Sequence, residues 1–599
     1  MNKIFTKFAI VASAAAISLG NTGCTDLLDQ APIDYPGAGS FWRSQTEFTS
    51  NIYAMSNMFR GNYAANILFW AGELRSGVFN IDLINGSGAV NVDPIQNNYD
   101  AAHSQFSTFG GYYGFIANLN ELIYQCDNAS EDILDTNVKE GLLGIAYGWR
   151  AYCYFQMYRM YGGVPLRLTP DVQLGETDPI TLRQPRATAE ETLTQIKKDI
   201  EESLKYFETS TWTVDKATSK YYWSKAATEM LAGEVYLWSG KVATADHEAN
   251  PQDVSKAKQY FENVVNNYGF RMLDDYFSIW TTPQNSETIY SICYSSTDDQ
   301  VQSNGYQGQL LWSKAAGAGT NAWSMQDASG LGLRTDGAVS RFQYFTSSPT
   351  DTPVEYTEWI KMNPSPNRYM YYNAVYFQFD DQDIRKTMFF PQWVIKDEEK
   401  NLQYIANFDP KDHTLFGTFV LKFKPSFIET WNASSYVWNN DQAIYRLPLA
   451  YMYLAEIANY EGNNADVEKY INMVRKRAFG NNWNAEIHGY KAGSFRENEN
   501  AILREKDKEF IMEGQRWWDL RRLTSVKGGK QTDHFVFTAE SCPGFGLDPV
   551  ANPWMVNGDG QTIATTTPVL TTAEEHKLLW PINQTLLDSD DTIVQNPGY

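Results

Sequence analysis

Cysteine and histidine are scarce in this chain of 599 residues, which contains five cysteines and six histidines. The cysteines form no CxxC pair, and none has a histidine at the spacing of a zinc site. The sequence therefore predicts neither a zinc centre nor a disulfide framework. Cys153 lies on the apolar face of a helical segment and is interpreted as a small buried hydrophobic residue.

Positive charge is also in short supply. The 49 Lys and Arg residues face 71 Asp and Glu residues, which gives a formal net charge of −22. Proteins that hold nucleic-acid backbones use Lys and Arg to displace counterions, so this balance argues strongly against nucleic-acid binding. Hydrophobic residues make up 43% of the chain, which is enough to form a large core.

The sequence has no long apolar run after its N-terminus, where residues 1–23 resemble an export signal. Lys3 and Lys7 precede an apolar stretch that is shorter than the roughly 20 residues needed to span a bilayer. Small residues then lead to Cys24, as in bacterial lipoprotein signals, where the cysteine receives lipid and becomes the first mature residue. Cys24 is therefore the predicted lipidation site. The alternative is an ordinary secretory signal with a chance cysteine, since Asn21 stands where leucine is usual.

Several segments have the period of amphipathic helices, and they occur in pairs. One apolar face begins at Leu142 and stops at Gly162. The next helix follows Thr188, which has Glu191 three residues on, as in a capping box. The pairing favours a mainly α fold with degenerate tetratricopeptide-type hairpins. Further pairs are predicted at residues 222–240 with 254–268 and at 447–460 with 467–478.

Long stretches without helical period separate these pairs. They are rich in Gly, Asn, Pro, Trp and Tyr, and loops of this length inside a compact protein are usually functional. The predicted organisation is a signal peptide followed by one body at residues 24–599. The body comprises helical hairpins at about 40–270 and 445–515, ligand-binding insertions at about 76–104 and 281–440, and a loop-rich C-terminal segment at 524–599.

The order of short motifs along the chain resembles the SusD/RagB family of outer-membrane nutrient-binding lipoproteins. The most specific motif is FIMEGQRWWDLRR at residues 510–522. Individually weaker matches occur in the same order along nearly the whole chain. They are CTDLLD at residues 24–29, GELRS at 72–76, RAYCYF at 150–155, YGGVP at 161–165, LWPI at 579–582 and the ending QNPGY at 595–599.

This resemblance implies an irregular α-helical scaffold of about four tetratricopeptide-like helix pairs with large loop-rich insertions. It also implies a lipid-anchored, cell-surface protein that binds a glycan and delivers it to a SusC-like TonB-dependent transporter in the outer membrane. Relatives with RagB-like roles carry peptide instead, and peptide binding is the alternative hypothesis. Members of the family are generally not enzymes, so the resemblance implies no catalytic residue.

Glycan binding without cleavage needs flat aromatic faces beside hydrogen-bonding side chains. The stretch from Tyr290 through Tyr294 to Trp323 interleaves aromatic residues with asparagine and glutamine. By resemblance, the family places binding aromatics on this middle insertion and on the early loop near residues 79–99. Core filling is the alternative interpretation for any single ring. The candidate glycan-binding residues are Trp323, Trp312, Tyr306 and Tyr99, with Asn98 and Asp82 as polar partners.

Motifs for enzymes and metal sites are weak. GxSxG, HExxH and GxxxxGK[ST] do not occur in the sequence. A glycoside hydrolase needs only two carboxylates brought together by the fold, so a surface hydrolase is a third hypothesis. The acidic turns at residues 380–383 and 588–591 could hold structural calcium, but neither matches a complete loop motif, and no cofactor or metal site is predicted.

The charged block at residues 505–522 is interpreted as structural rather than catalytic. Glu505, Glu509 and Glu513 recur every four residues on one predicted helix with Arg504 and Lys508, a spacing that suits ion pairs along that helix. The two tryptophans that follow, Trp517 and Trp518, are expected to be buried, with Arg516 and Asp519 fixing the helix end to the body.

Overall fold

The structure is a computed structural model. Within the residues that it describes, no helix is both long enough and apolar enough to cross a membrane. The described residues are 41–61, 68–79, 93–102, 109–214, 219–294, 371–396, 422–423, 440–548 and 566–599, with strand segments at 324–325, 345–346, 402–405, 414–420, 426–429 and 434–437.

Helices dominate the described part of the chain, and a π-helix at Leu68–Glu73 continues into a 3₁₀ turn at Leu74–Ser76. The α-helices are α1 (Gln45–Phe59), α2 (Asp93–Gln96), α3 (Gly110–Asn128), α4 (Thr136–Tyr161), α5 (Ala189–Thr209), α6 (Lys225–Lys241), α7 (Asp253–Asn267), α8 (Ser278–Thr281), α9 (Asn373–Phe377), α10 (Leu447–Glu461), α11 (Asn464–Phe479), α12 (Phe495–Glu509), α13 (Arg516–Arg522) and α14 (Gln584–Ser589).

The longer helices pack as consecutive pairs. Within the described residues, α1 packs on α3, α4 on α5, α6 on α7, and α10 on α11. Adjacent pairs are joined through contacts of α3 with α4, α5 with α6 and α7 with α10, so that each pair rests on the next. This arrangement confirms the predicted mainly α scaffold of tetratricopeptide-like helix pairs.

Local sequence signals fix the ends of these helices. Thr188 caps α5 and forms the predicted capping box with Glu191, and the Asp135 side chain accepts from two backbone N–H groups at the start of α4. Helix α4 ends at Gly162, whose φ of 76° lies in the left-handed region that glycine tolerates. In the apolar stripe of α5, Leu193, Ile196 and Ile200 are buried. Leu204 and Phe207, nearer the C-terminal end of the helix, are half-buried and pack against the core.

Glycines allow the helices of a pair to approach closely. A Cβ on Gly144 of α4 would lie 2.9 Å from the Phe207 ring of α5. A Cβ on Gly233 of α6 would lie 2.5 Å from the Phe261 ring of α7, and that ring is fully buried. Aromatic rings therefore fill the space that these glycines leave open.

Short antiparallel β-ladders interrupt the helical scaffold. In the central ladder, β1 pairs with β9, all residues of both strands are buried, and Tyr290 lies opposite Tyr445. In the described residues, β2 pairs with β3, β4 lies between β5 and β6, and β7 pairs with β8. The strands are β1 (Thr288–Ile292), β2 (Ser324–Met325), β3 (Phe345–Thr346), β4 (Phe389–Lys396), β5 (Leu402–Ile405), β6 (Thr414–Val420), β7 (Ser426–Glu429), β8 (Ser434–Val437) and β9 (Gln442–Arg446).

Candidate ligand-binding site

Most of the predicted ligand-binding residues lie outside the described residues. These are Asp82, Tyr306, Trp312 and Trp323, and the predicted lipidation site Cys24 also lies outside them. Asn98 is described and exposed, directly after the turn that follows α2. Its backbone N–H donates to the Asp93 carbonyl at 2.9 Å, and its side chain lies at the surface.

Tyr99, the other described candidate, lies in the core. Its ring is only 5% exposed and stacks on Trp580, with ring centroids 4.7 Å apart. The Arg75 guanidinium lies 5.4 Å from the Tyr99 centroid and 3.9 Å from the Trp517 centroid. Tyr99 therefore packs between distant segments rather than presenting its ring at the surface. Its role in glycan binding stays a prediction.

Arg75 is the charged centre of this aromatic packing. Its Nε donates to Asn97 at 2.9 Å, and one terminal nitrogen donates to the Lys577 carbonyl at 2.5 Å. Burial lowers the pKa of Arg75 below its ordinary value. The cluster thus ties the π-helix region to the C-terminal segment.

The first aromatic residues of the middle insertion are also structural. Tyr290 is 1% exposed, and its hydroxyl accepts a hydrogen bond from Trp149 Nε1 at 3.0 Å. Tyr294 is buried as well. These rings belong to the core around the β1–β9 ladder, so the insertion begins with core residues rather than with a displayed aromatic platform.

A large cleft opens where the middle insertion meets the helical scaffold. Its volume is about 1210 Å³, which is larger than the roughly 300–1,000 Å³ of typical small-molecule pockets and leaves room for an extended ligand. Residues 270–275 after α7 form one wall, residues 381–387 another, and residues 476–482 at the end of α11 a third. The second wall lies inside the predicted ligand-binding insertion at residues 281–440. We call this the α11 cleft.

Half-buried aromatic rings line the α11 cleft. Phe270 and Tyr376 are each partly exposed at its wall. Lys386 Nζ lies 4.7 Å from the Tyr376 ring centroid and pairs with Asp381 at 2.5 Å. Burial raises the pKa of Tyr376 to about 12, so its hydroxyl remains protonated at neutral pH. A ring beside paired charges and a protonated hydroxyl suits contact with a polar ligand that has an apolar face.

Carboxylates at the cleft are mostly occupied by partners within the protein. Among the described residues, four line it. Asp381 pairs with Lys386, and Asp383 pairs with Arg385 at 2.7 Å. Asp275 accepts from the Ser278 backbone N–H and hydroxyl at the start of α8. The fourth is Asp274. Asp383 is buried by its ion pair, whereas Asp274, Asp275 and Asp381 remain exposed at the cleft and can contact a polar ligand.

A cluster of buried, charged side chains packs against the α11 cleft. Its core is Arg446, which pairs with Glu287 at 3.0 Å, Glu509 at 2.5 Å and Glu513 at 2.7 Å. Arg477, which lines the cleft, also contacts Glu287 and Glu509. Within the described residues, the cluster comprises Glu287, Asp383, Arg385, Lys422, Arg446, Arg477, Glu505, Glu509 and Glu513, with Arg475 at its edge.

The charge cluster sets the ionisation of its carboxylates. Burial by itself would raise the pKa of Glu505, but Arg385 and Arg475 outweigh burial and lower that pKa to about 2. Burial opposes ionisation of Glu509 in the same way, yet Arg477, Arg446 and Arg385 hold its pKa well below the usual range. Both carboxylates are therefore charged and fully paired at neutral pH.

The charged block at residues 505–522 is structural, as the sequence indicated, but its ion pairs differ from the predicted ones. Helix α12 ends at Glu509, so Glu513 lies beyond the helix rather than on its face. The partners of these two carboxylates are distant in the sequence. They are Arg385, Arg446 and Arg477 for Glu509, and Lys422 and Arg446 for Glu513. The predicted pairing of these glutamates along one helix was wrong, because tertiary contacts satisfy their charges. Within α12, Arg504 pairs with Asp507 instead, at 2.9 Å.

The C-terminal part of the block at residues 505–522 is held against the body of the protein, as the sequence predicted. Trp517 and Trp518 are buried, at 0% and 2% exposure. Arg516 Nε donates to Asp507 at 2.8 Å, and another guanidinium nitrogen donates to the Ser541 carbonyl at 2.9 Å. Asp519 contacts Lys506 at 2.5 Å. These contacts join α12 and α13 to the body of the protein.

The two acidic turns considered for calcium are held by protein groups. Asp383 pairs with Arg385, and Asp381 pairs with Lys386. In the second turn, Asp590 accepts from the Thr592 backbone and hydroxyl, at 3.0 and 2.6 Å. Among the described residues, no group of three or more His, Cys, Asp or Glu side chains is arranged to hold a metal ion.

Sequence reasoning did not identify the α11 cleft. Its three walls come from segments separated by about a hundred residues each, and no motif marks Phe270 or Tyr376. One wall includes the acidic turn at residues 380–383, which the sequence indicates only as an incomplete calcium-loop motif. The cleft exists because the fold brings these segments together.

Comparison with known proteins gives the family. A sequence model described as the SusD family matches residues 286–599, and one described as "Starch-binding associating with outer membrane" matches residues 76–237. A curated relative, SusD-like protein P38 from Formosa agariphila, is 26% identical over 234 residues. That match covers 38% of this chain and 42% of the relative, so the chain matches less than half of the relative's length.

Solved structures have the same fold. A SusD superfamily protein from Bacteroides fragilis superposes with a TM-score of 0.71 and 36% identity, covering 93% of this chain and 100% of that one. A laminarin-binding SusD-like protein superposes with a TM-score of 0.60 and 17% identity, again covering 93% and 100%. The family match over residues 286–599 and the identity to the B. fragilis protein establish that this chain belongs to the SusD family.

Proposed function

We propose that this protein is a cell-surface receptor that captures oligosaccharide or polysaccharide and delivers it to a SusC-like TonB-dependent transporter. The carrying observation is that the chain belongs to the SusD family and matches a family description of starch binding and outer-membrane association over residues 76–237. A solved relative of the same fold is named as laminarin-binding. Lipid on Cys24 would anchor the receptor to the outer membrane.

The α11 cleft supports a ligand-binding role. Its partly exposed rings, Phe270 and Tyr376, lie beside polar side chains, a combination that binds the C–H face and the hydroxyls of a sugar. Three of the four described carboxylates at the cleft, Asp274, Asp275 and Asp381, are exposed and can accept hydrogen bonds from sugar hydroxyls. We infer that glycan contacts the α11 cleft. Trp312 and Trp323, which lie outside the described residues, remain predicted glycan-binding residues and are tested beside it.

Affinity electrophoresis tests this proposal. Residues 25–599 are run through gels containing laminarin, starch or other polysaccharides, alongside Tyr376→Ala, Trp312→Ala and Trp323→Ala. The matched control is Tyr124→Ala, which removes a 39% exposed tyrosine from α3. We expect retardation by one glycan, lost in at least one test variant and kept in the control, because removing a stacking ring costs about 1 kcal/mol or more.

Three other outcomes would contradict the proposal. Retardation in no gel, with peptide binding detected by calorimetry, would favour the RagB-like alternative. Release of reducing ends from a polysaccharide would favour a hydrolase. Retardation that all three test variants retain would leave glycan binding in place but remove the α11 cleft and the predicted insertion residues from the site.

A further inference from the structure

The loop between α4 and α5 displays apolar side chains at the surface. Ten large apolar side chains are exposed in the described part of the chain, and four of them lie between residues 168 and 180. Their exposed fractions are 36% for Leu168, 59% for Val172, 54% for Leu174 and 71% for Ile180. A concentration of this kind marks an interaction site more often than chance exposure does.

This loop is ordered by its own hydrogen bonds. The Leu174 N–H donates to the Pro170 carbonyl at 3.0 Å, and the Arg183 N–H donates to the Ile180 carbonyl at 3.1 Å. Gln184 Nε2 donates to the Leu166 carbonyl at 3.1 Å. The apolar side chains are therefore held in place on a fixed backbone, which reduces the entropy that a partner must overcome on binding.

The C-terminal segment extends the same surface. Arg183 pairs with Asp591 at 2.9 Å, and Arg186 donates to the Val594 carbonyl at 2.7 Å. These bonds bring Val594, which is 70% exposed, next to the loop. We call residues 168–185 and 584–594 together the loop–tail surface.

A groove lies within the loop–tail surface. Its volume is about 340 Å³, and its lining is mainly apolar. Val172 and Leu182 contribute from the loop, Leu586 and Ile593 from the tail, and Tyr113 from α3. A groove of this size accepts one or two apolar side chains of a partner, as at the centre of protein interfaces.

The loop–tail surface has a net negative charge. Its two segments contain six carboxylates and one cation, Arg183, which pairs with Asp591. Two more cations lie at its edge: Arg167, which lines the groove, and Arg186, which is bonded to the Val594 carbonyl. Asp178 accepts from the Ile180 N–H at 2.9 Å, and Asp588 accepts from Gln584 at 2.8 Å. These donors are neutral, so the surface keeps its negative charge. A complementary partner surface carries Lys or Arg around its apolar residues.

We propose that the loop–tail surface is the docking site for a protein partner that inserts an apolar anchor into the groove and pairs Lys or Arg with its acidic rim. The identity of that partner as the SusC-like transporter rests on the proposed function. The apolar groove, the fixed loop and the excess of carboxylates over cations are the observations that carry the assignment. None of the residues that line the groove lines the α11 cleft, so the partner and a ligand could bind together.

The test measures binding of the mature lipoprotein to the transporter in lipid nanodiscs by interferometry. The test variants are Val172→Asp and Ile180→Asp. The matched controls are Val526→Asp and Ile487→Asp, whose side chains are 54% and 73% exposed elsewhere. We expect each test variant to weaken binding by about tenfold or more and each control to change it less than about twofold.

A charge series tests the second half of the proposal. Glu176→Gln with Asp178→Asn should slow association, and the difference from wild type should shrink at high salt, since long-range attraction is screened. Glu486→Gln, which neutralises an exposed carboxylate elsewhere, is the control. Equal association rates in all variants would overturn the acidic-rim assignment.

Glycan binding is measured in parallel for every variant. Transporter binding that survives both Val172→Asp and Ile180→Asp overturns the docking site while leaving the proposed function intact. Glycan binding without any transporter binding in the wild type overturns the docking site and the delivery step together. Self-association of the wild type that Val172→Asp abolishes would make a second copy the occupant, and would also overturn the proposal.

Discussion

Arg446 is surrounded by carboxylates that have little access to water. Its guanidinium contacts Glu287, Glu509 and Glu513, and all four side chains are less than 5% exposed. Removing one member of a buried ion pair leaves the other charge uncompensated, which is more destabilising than loss of the pair as a whole. The cluster therefore determines whether the floor of the α11 cleft can form.

Arg446→Met is expected to lower the free energy of unfolding by about 3–5 kcal/mol, because it leaves buried carboxylates short of a cation. The control is Lys225→Met, which breaks the surface pair of Lys225 with Glu208 and should cost less than about 1 kcal/mol. Urea unfolding of both variants measures the difference. Equal effects of the two substitutions would contradict the proposed role of the buried cluster.

Glu73 is a buried carboxyl at the junction of the π-helix and the turn after α12. It accepts hydrogen bonds from the Met512 backbone N–H at 3.1 Å and from the Tyr371 hydroxyl at 3.2 Å. Burial raises the pKa of Glu73 from 4.5 to about 7, although these hydrogen bonds and Lys422 oppose the shift. The carboxyl is thus only partly ionised at neutral pH.

The raised pKa of Glu73 predicts a specific pH dependence. Between about pH 4.5 and 7 the folded protein holds a proton on Glu73 that the unfolded chain has released, so stability falls as pH rises through this window. The free energy of unfolding that is lost across this window, complete above pH 7, is about 3 kcal/mol. Relative to Glu73→Gln, the wild type should lose stability between pH 5 and pH 8.

Urea unfolding of both proteins at pH 5 and pH 8 checks this expectation. The difference between wild type and variant isolates Glu73 from other titrating groups. A wild type that gains stability relative to Glu73→Gln over this range would show that the carboxyl is ionised in the folded state throughout.

At the scale of elements, helix pairing depends on glycines that face aromatic rings. Gly233 of α6 faces Phe261 of α7, and Gly144 of α4 faces Phe207 of α5. Alanine ordinarily favours a helix by about 1 kcal/mol over glycine. At these crossings, steric contact between an added methyl group and the facing ring opposes that gain, because a packed ring has little space in which to move.

Gly233→Ala is expected to destabilise the protein by about 1–3 kcal/mol, because its Cβ would lie 2.5 Å from the Phe261 ring. The control is Gly114→Ala in α3, where nothing lies within 4 Å of the added Cβ. That substitution should be neutral or stabilising by up to about 1 kcal/mol. Thermal unfolding of both variants measures the difference, and stabilisation by both would show that the α6–α7 crossing tolerates a methyl group.

At the scale of the whole molecule, the C-terminal segment connects parts of the chain that are far apart in sequence. The backbone N–H of Trp580 donates to the Met160 carbonyl at the end of α4, at 2.7 Å. Its ring is fully buried and stacks on Tyr99. Asn596 in turn donates to the Trp580 carbonyl at 2.7 Å. The segment is therefore part of the core rather than an appended tail.

Trp580→Ala is expected to lower the stability of the whole body by about 3–5 kcal/mol, through loss of buried ring area and formation of a cavity. Trp483→Ala is the control, since this half-buried ring lies at the surface beside Phe479 and should cost less. Calorimetry measures both. An unchanged main transition in Trp580→Ala, with early proteolysis of the C-terminal segment alone, would show that this segment folds independently.

Helix formation depends on neighbouring residues, whereas the exposure of a side chain depends on the whole molecule. Helix periodicity and capping at Thr188 act within three or four residues, so the sequence predicted α5 and the burial of its apolar face. Whether a ring is displayed depends on what the rest of the chain places over it. Tyr99 and Tyr290 lie in sequence segments whose composition is typical of a binding site, yet distant segments of the chain cover both rings.

The sequence by itself determined the mainly α scaffold of helix pairs, the family and the burial of Trp517 and Trp518, because short-range periodicity and an ordered set of motifs encode them. Only the tertiary structure decided which carboxylate pairs with which arginine, and where the α11 cleft and the loop–tail surface lie. Those features join segments that are far apart in the chain. Their geometry follows from how the helix pairs stack, which no local pattern specifies.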